Sequence, residues 1–289
     1  MKRILIIAGG GKKHLAPFEK EGVKTASFSD LHYGTTGDGE LMVSGEPLSA
    51  FALIYVRLVG RHFEDLALLV NEAKKLKIPV VDRVFTDSGF ARLPISKVLE
   101  AKVLSEAGLP LPKTIFGRLS YLGENGPKVF RYPFVIKLTT GKQGHGVWAP
   151  KNEEELVKLI EKLGGQEKEG KRFLAQEFIF SPKRIRALVV GGKVVGAVQR
   201  PTRWRKRFSQ TEVEKKGLVP IPQEISTLAI KATEALMLDI AGVDILEDEK
   251  TKKLYVLEVN SAPRWEAIAR DCQVEVEAEI LKFLRTLST

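Results

Sequence analysis

The first 90 residues alternate short apolar runs with a helical stretch, and this order constrains the fold more than any other feature of the sequence. The runs RILIIA (3–8), FALIYVRLV (51–59) and IPVVD (78–82) have the length of strands. DLALLVNEAKKLK (65–77) instead carries its apolar residues at helical spacing. A strand–helix–strand order predicts a parallel sheet covered by helices. We therefore expect residues 1–90 to form an α/β domain.

A second unit, over residues 91–176, has a different pattern. SKVLEAKVLSEAG (96–108) and NEEELVKLIEKLG (152–164) predict helices, because each starts with a good N-cap residue, Ser or Asn, and ends in glycine. A polar loop, GGQEKEGKR, is expected after the second helix. FVIKL (134–138) and GVWAP (146–150) predict strands on either side of a glycine loop.

The third unit, over residues 177–289, is organised around two hairpins. RIRALVVGG (184–192) and KVVGAVQR (193–200) predict the first hairpin, with its turn at the paired glycines. AGVDILEDEKTKKLYVLEVNS (241–261) predicts the second. Helices are expected between the hairpins, over PQEISTLAIKATEALML, and at the end of the chain. Antiparallel strands with helices beside them indicate an α+β domain.

The second hairpin carries three side chains, Asp244, Glu258 and Asn260, whose oxygen atoms can bind a metal ion. If its turn lies midway, Asp244 is opposite Glu258. Strand alternation would place four residues of LYVLEVNS on one face, namely Leu254, Val256, Glu258 and Asn260. Oxygen ligands of this kind suit Mg²⁺. The residues alone leave a metal site and a solvated sheet face equally open, because clustered carboxylates cost free energy unless a positive charge offsets them.

The stretch KLTTGKQGHG (137–146) joins a strand lysine to a G-x-x-G-x-G loop. Lys137 and the backbone N–H groups of such a loop can contact polyphosphate. The hexamer by itself also occurs in ordinary turns. Together with an acidic hairpin downstream, it favours a site in which phosphate and metal ligands are combined.

Composition restricts the function classes further. The formal net charge of +10 favours anionic partners. The single cysteine, Cys272, excludes an internal disulfide and a multi-cysteine metal site. No apolar run reaches membrane-spanning length, and the short apolar start lacks a signal-peptide pattern, so we expect a cytoplasmic protein without membrane contacts.

Several ordered motifs together resemble a known family. They are SKVLEAKVLSEAGLPLPKT, YPFVIKLTTGKQGHGVW, AQEFI, IRALVVGGKVVGAVQR and AGVDILEDEKTKKLYVLEVNSAP. The chain from about residue 91 onward resembles the ATP-grasp ligases, most closely the RimK-like branch. The resemblance implies an ATP-grasp fold that combines α/β and α+β parts. These would be an N-terminal parallel pre-ATP-grasp domain (1–90), a small lid domain (91–176) and a C-terminal antiparallel-sheet domain (177–289), with ATP between the last two.

The likeness also implies a role for each matching residue. The ATP-binding set would comprise Lys97 and Lys137 on the phosphates, the loop glycines Gly141, Gly144 and Gly146, the adenine hinge Gln176, Glu177, Phe178 and Ile179, and Arg186 facing phosphate. The magnesium ligands would be Asp244, Glu258 and Asn260, with Mn²⁺ as a substitute ion. Arg200 would stabilise an acyl phosphate. For Arg57, in the N-terminal domain, the likeness suggests a substrate contact, and a solvated surface position is nearly as good an interpretation.

The sequence departs from the family pattern in three places. Arg184 stands where the family has an acidic residue that contacts ribose. Pro263-Arg264 replaces a proline–glycine pair, so Arg264 is expected close to the metal, where a cation suits an anionic substrate or intermediate. RWRKRFSQTEVEKKG (203–217) replaces the family's F-R-x-N segment and double glycine. All of these changes affect substrate identity more than the type of reaction.

The expected function is an ATP-dependent ligase that joins an anionic carboxylate substrate to an amino acid or another amine through an acyl phosphate. Homo-oligomerisation is left open. One alternative is an ATP-grasp kinase that phosphorylates a hydroxyl group. Another is a nucleic-acid-binding module that uses RWRKR with Trp204 and Phe208 as stacking residues. That module ranks last because it does not account for the acidic hairpin.

Overall fold

The structure is a computed structural model that describes residues 3–10, 14–20, 22–35, 40–86, 96–140, 146–202, 204 and 211–288. Its α-helices are α1 (Phe63–Lys75), α2 (Lys97–Glu106), α3 (Leu119–Val129), α4 (Glu153–Lys168), α5 (Gln223–Ala235), α6 (Glu266–Cys272) and α7 (Val276–Leu287). The strands of the first part are β1 (Arg3–Ala8), β2 (Val23–Ser27), β3 (Leu31–His32), β4 (Met42–Val43), β5 (Glu46–Pro47), β6 (Phe51–Arg57) and β7 (Val80–Val81). Those that follow are β8 (Thr114–Gly117), β9 (Phe134–Leu138), β10 (Val147–Trp148), β11 (Phe173–Glu177), β12 (Lys183–Val190), β13 (Lys193–Pro201), β14 (Lys216–Gly217), β15 (Ile240–Glu247) and β16 (Leu254–Asn260).

The first sheet has the order β2-β1-β6-β7, and all of its neighbouring strands are parallel. The parallel sheet expected from the strand–helix–strand pattern is therefore confirmed. Strand β2 was not predicted, because its sequence VKTAS is short and half polar. The sheet buries apolar side chains on both faces, as parallel sheets generally do.

The second sheet, of order β10-β9-β11-β8, is antiparallel and is packed against α3 and α4. Helix α3 was missed because its sequence LSYLGENGPKV contains two glycines and a proline. It forms because Leu119 and Leu122 are buried against the sheet. The polar loop expected after Gly164 is partly wrong, since α4 continues to Lys168. A helical glycine costs only about 1 kcal/mol, and the Gln, Glu and Lys that follow Gly165 favour helix.

The third sheet has the order β14-β13-β12-β15-β16, in which the two predicted hairpins, β12–β13 and β15–β16, are adjacent. One face packs on α5 and on apolar residues of α2 and the segment after it, such as Leu104 and Leu109. The other face packs on α6 and α7 and continues into the core of the first sheet. Helix α2, which the sequence grouped with the lid, thus contributes to the core of the third sheet. The three domain boundaries stay a prediction.

A buried carboxylate connects the first sheet to the third. Asp82 follows β7, is completely buried, and accepts hydrogen bonds at 2.8 Å from the backbone N–H groups of Asp239 and Ile240. Burial, as the largest effect, raises the pKa of Asp82 well above its usual value. The contact fixes the start of β15, the strand that carries Asp244.

Candidate active site

The polar side chains of the third sheet converge because its strands are in register. Arg186 on β12 is paired with Asp244 on β15, and Asp244 with Glu258 on β16. Asn260 is paired with Gly242, two residues before Asp244. The predicted placement of Asp244 opposite Glu258 is confirmed. We call this side of the sheet the site face; it carries Arg184, Arg186, Arg200, Asp244, Glu258 and Asn260.

A bulge in β16 corrects the predicted alternation of that strand. Ile245 pairs with Val256 but Asp244 pairs with Glu258, so Leu257 is an extra residue. The register therefore places Val256 on the opposite face from Glu258, in the core with α5. The expectation that Leu254 and Val256 share the face of Glu258 and Asn260 is wrong, because regular alternation ends at the bulge.

Asp244 is completely buried and neutralised within the chain. Arg186 donates from Nε and Nη2 to the two carboxylate oxygens, both at 2.7 Å. Arg184 adds a third cationic contact at 3.4 Å. Burial works against the charged form of Arg186, but Asp244 outweighs it and raises the pKa of the guanidinium. A buried carboxylate of this kind depends on such pairing.

Glu258 lies between a lysine and an amide. Lys97, the first residue of α2, donates from Nζ to Glu258 Oε2 at 3.1 Å, and Asn260 Nδ2 donates to Oε1 at 3.3 Å. Burial on its own would raise the pKa of Glu258. Lys97 and Lys137 outweigh this effect, so that the pKa of Glu258 is below its usual value and the side chain is an anion at neutral pH.

Lys137 is on β9 of the second sheet, and it lines the same cavity as Lys97 and Glu258. Its Nζ donates to Gln176 Oε1 at 2.5 Å, and Gln176 Nε2 in turn donates to Thr114 Oγ1 at 3.0 Å. Burial first, and then the charge of Lys97, lower the pKa of Lys137 to about 8. An ammonium group that is desolvated and beside another cation is a good place for a polyanion.

The structure adds a residue that the sequence did not single out. Glu100, one helical turn after Lys97, is 8% exposed and accepts a hydrogen bond at 2.9 Å from the backbone N–H of Val259. Burial is the largest of the effects that raise its pKa to about 8. In the sequence it is one more acidic residue in a helix, and nothing local distinguishes it from Glu106.

The site face has the chemistry of a hard-cation site. Two carboxylates and one amide point from neighbouring strands, and each carboxylate oxygen has lone pairs beyond those used by Arg186 and Lys97. Within the described part of the chain, no group of three His, Cys, Asp or Glu side chains is arranged to hold a metal. A Mg²⁺ ion here would therefore need Asn260 together with water and substrate phosphate, which is its usual preference.

The glycine loop is only partly described. Gly141 and Gly144 lie outside the described residues. Gly146 has φ +71°, a conformation that favours glycine, and its carbonyl accepts from Leu138 N at 2.8 Å. The loop therefore connects the antiparallel strands β9 and β10, with Lys137 paired to Val147.

The predicted adenine hinge leads from the second sheet to the third. Gln176 and Glu177 end β11, and the segment continues through Phe178 and the buried Ile179 towards β12. Glu177 is tied to Lys113, whose backbone N–H donates to Glu177 Oε2 at 3.1 Å. The side chain of Gln176 is used to hold Lys137, a role that the sequence did not suggest.

Two predicted catalytic arginines have different surroundings. Arg200 is on the site face, where it forms an ion pair with Asp271 at the end of α6. Arg264 is exposed and has no ion-pair partner among the described residues. The basic residues Arg203, Arg205 and Arg207, together with Phe208, lie outside the part of the chain that the structure describes.

Arg57 is buried, so its interpretation as a solvated surface residue is wrong. It is 6% exposed, and its guanidinium carbon is 4.1 Å from the ring centroid of Trp265 and 5.4 Å from that of Phe18. Nη1 donates to the carbonyl of His14 at 3.3 Å, whereas Nε has no hydrogen-bond partner in the part of the chain that the structure describes. Trp265, which follows Arg264 directly, thus connects the segment after β16 to the first sheet.

The sequence of this chain is similar to a family model and to several curated proteins. A sequence model described as the RimK-like ATP-grasp domain matches residues 95–284. A protein of Maridesulfovibrio salexigens named probable alpha-L-glutamate ligase is 31% identical over 256 residues, which cover 86% of this chain and 81% of that protein. One of the same name from Syntrophotalea carbinolica is 33% identical over 65% of this chain and 62% of its own length. The chain spans about three fifths of the length of several of these curated relatives.

Solved structures show the same fold. The ATP-grasp ligase PsnB, complexed with a phosphomimetic variant of its minimal precursor, Mg and ADP, matches with a TM-score of 0.74 at 15% identity, covering 100% of this chain and 99% of that one. A D-alanine–D-alanine ligase of Bacillus anthracis complexed with ATP matches with a TM-score of 0.67 at 16% identity, covering 100% and 97%. These matches confirm the ATP-grasp fold that the motifs predicted. The enzyme class carried by these names is that of a ligase.

No helix among the described residues has the length and apolarity needed to cross a membrane.

Proposed function

Because the chain belongs to the RimK-like ATP-grasp family, we propose that it is an ATP-dependent carboxylate–amine ligase that adds an amino acid to a carboxyl-bearing peptide, protein or small molecule. The observation that carries the proposal is the convergence of Lys97, Lys137 and Glu258 on one cavity beside the site face. Phosphate-binding cations and metal-binding oxygens adjoin there, and ATP chemistry needs both.

The proposed reaction has two steps. An oxygen of the substrate carboxylate attacks the γ-phosphorus of ATP, the bond from that phosphorus to the β-phosphate bridging oxygen breaks, and ADP leaves. The amine nitrogen then attacks the acyl carbon of the resulting acyl phosphate. The carbon–oxygen bond breaks, inorganic phosphate leaves, and the nitrogen loses a proton to give the amide. Both steps bring anions or dipoles together, so positioning and charge neutralisation supply most of the catalysis.

The residues have distinct proposed tasks. Lys97 and Lys137 bind the phosphates, Gln176 orients Lys137, and the loop that ends at Gly146 closes over the nucleotide. The hinge through Glu177, Phe178 and Ile179 holds the adenine. Arg186 faces the phosphates while it fixes Asp244, and Arg200 and Arg264 meet the acyl phosphate.

Asp244, Glu258 and Asn260 are the proposed ligands of Mg²⁺. When bound, the ion supplies positive charge that offsets the repulsion between phosphate and carboxylate. Arg186 pairs with Asp244 and orients it, and Lys97 does the same for Glu258. These three residues suit Mg²⁺ because each offers an oxygen atom as ligand.

Substrate recognition is proposed on the side of the first sheet. Arg57 is a buried cation with no carboxylate partner among the described residues, and it stacks on Trp265 close to Arg264. A buried unpaired cation is unfavourable, so an anionic group of the substrate would offset its charge. Arg184, at the position where the family carries an acidic residue, is already within ion-pair distance of Asp244, which leaves the ribose contact to other residues.

Trapping of the intermediate tests the reaction type. Hydroxylamine in place of the amine should yield a hydroxamate, with ADP and phosphate released in equal amounts. A matrix of acidic peptides and amino acids, scored by ADP release and mass gain, would then identify the substrates. Release of AMP and pyrophosphate would contradict the acyl phosphate. ADP release that needs only a hydroxyl compound would favour the kinase.

A further inference from the structure

We propose that Glu100 is a positioning residue for this site: by accepting the Val259 N–H, it fixes the edge strand β16 so that Glu258 and Asn260 keep their places on the site face. The part of the inference that concerns metal binding rests on the proposed function. The part that concerns the strand rests on geometry alone.

The contact is made at the residue of β16 that separates two of the proposed metal ligands. Val259 is the residue between Glu258 and Asn260, and its N–H donates to Glu100 Oε1 at 2.9 Å. Because Val259 and Glu100 are both buried, water does not replace this acceptor when it is lost. The hydrogen bond therefore determines the position of the strand where its two flanking side chains are used.

An edge strand needs such a contact more than a central strand does. Among the described residues β16 is the last strand of its sheet, so no neighbouring strand pairs with its outer side there. Two outward N–H groups find acceptors elsewhere, Val256 at the carbonyl of Pro110 and Val259 at Glu100, both at 2.9 Å. They are three residues apart instead of two, because Leu257 is the extra residue of the bulge. Glu100 thus holds the strand at the point where the regular ladder has been displaced.

Helix α2 holds β16 by two side chains of one face. Lys97 and Glu100 are three residues apart, a spacing that places them on the same side of a helix. Lys97 contacts the side chain of Glu258, and Glu100 contacts the backbone one residue further on. The carboxyl group of Glu100 is repelled by Glu258 and attracted by Lys97 and Lys137. Its hydrogen bond to the Val259 N–H is a contact with the backbone of β16 that neither lysine supplies.

The variants Glu100→Gln and Glu100→Leu separate the acceptor from the volume of the side chain. Glutamine retains an oxygen that accepts the Val259 N–H, whereas leucine has similar size and no acceptor. Asp82→Asn and Asp82→Leu are the matched controls. Asp82 is also a buried carboxylate that accepts backbone N–H groups of the same hairpin, at the start of β15.

The first measurement is hydrogen exchange of a peptide spanning residues 254–260 in the protein without nucleotide. We expect Glu100→Leu to accelerate exchange about tenfold or more, with Glu100→Gln and both Asp82 variants within about threefold of the unchanged protein at that peptide. Exchange in Glu100→Leu equal to that of the unchanged protein would overturn the inference. This result does not depend on any enzymatic activity.

The second measurement is calorimetric binding of ADP with and without Mg²⁺. Glu100→Leu should weaken the Mg²⁺-dependent affinity about tenfold and change the metal-free affinity less than twofold, and Glu100→Gln should restore it. The Asp82 variants should lower the melting temperature without this selective effect. If Glu100→Gln is as impaired as Glu100→Leu, or if Glu100→Leu binds normally, the positioning role is wrong. If the unchanged protein shows no effect of Mg²⁺ on ADP binding, the proposed function fails instead, and hydrogen exchange still decides the role of Glu100.

Discussion

Arg186 and Arg57 are both largely shielded from solvent, but their charges are balanced in different ways. Arg186 on the third sheet has an internal counterion, since Asp244 accepts two hydrogen bonds from it. Arg57 on the first sheet has two aromatic rings, one carbonyl and an unpartnered Nε, with no carboxylate among the described residues. The arginine of the third sheet is therefore neutralised within the described part of the chain, whereas the arginine of the first sheet is not, and this difference supports the proposal that an anionic group of the substrate binds at Arg57.

The largest effect is expected from Asp244→Asn. This change leaves Arg186 and Arg184 without their buried counterion, so the free energy of unfolding should fall by about 3–5 kcal/mol. Ligase activity should be lost as well. Urea unfolding measures the stability. The double variant Asp244→Asn, Arg186→Gln should recover part of the stability and none of the activity, and recovery of neither would mean that Asp244 acts through contacts other than Arg186.

Changes to the other proposed metal ligands should affect activity more than folding. Glu258→Gln and Asn260→Ala each remove one oxygen ligand or its charge. Turnover should fall about 100-fold in each, with a change in stability of about 1 kcal/mol, because both side chains are only partly buried. Steady-state kinetics over a range of Mg²⁺ concentrations is the check. Turnover close to that of the unchanged protein in both variants would contradict the metal assignment.

Lys137→Ala should weaken ATP binding about 10- to 100-fold, the range expected for a lost charge-assisted hydrogen bond of about 1.5–3 kcal/mol. The pKa of Lys137 is lowered to about 8, so its charge is present below that pH and lost above it. ATP affinity should therefore decline as the pH rises through about 8. Calorimetry at several pH values tests both points. Lys137→Arg, which stays charged, is the control that should flatten the decline.

Arg57→Met tests the other half of the comparison. Removal of Arg57 loses buried cation–π contacts of about 2 kcal/mol. Because Arg57 has no carboxylate partner among the described residues, relief from burying an unpaired charge offsets part of this loss. The free energy of unfolding should therefore change by less than about 2 kcal/mol. The KM for the carboxylate substrate should rise about tenfold, while the KM for ATP stays the same. A loss of stability as large as that of Asp244→Asn would show that Arg57 is a structural residue.

The smallest and most selective effect is expected from the basic segment RWRKR. Arginine suits carboxylate recognition through bidentate pairing, and the segment follows Arg200 on the site face. Serine at Arg203, Arg205 and Arg207 should raise the KM for the carboxylate or peptide substrate several-fold and leave the KM for ATP unchanged. If neither constant moves, recognition depends on Arg57 and Arg264 instead.

The sequence by itself determined the local structure and the chemical types of the site. The N-cap interactions of Ser96 and Asn152 form as predicted, and Gly191-Gly192 makes the turn of the first hairpin. The second hairpin also forms as predicted, although the register set by its turn, with Glu247 opposite Leu254, brings Asp244 opposite Glu258 only through the bulge at Leu257. These features depend on neighbours close in the chain, so their patterns can be read directly.

Only the tertiary structure decided which distant groups meet. The bulge at Leu257 moves Val256 to the core face, and no local pattern in LYVLEVNS indicates it. Glu100 reaches Val259 across 159 residues, and Arg57 on the first sheet stacks on Trp265, the residue before α6. A side chain's type is fixed by the sequence, but its counterion, its acceptor and its exposure depend on how sheets and helices pack.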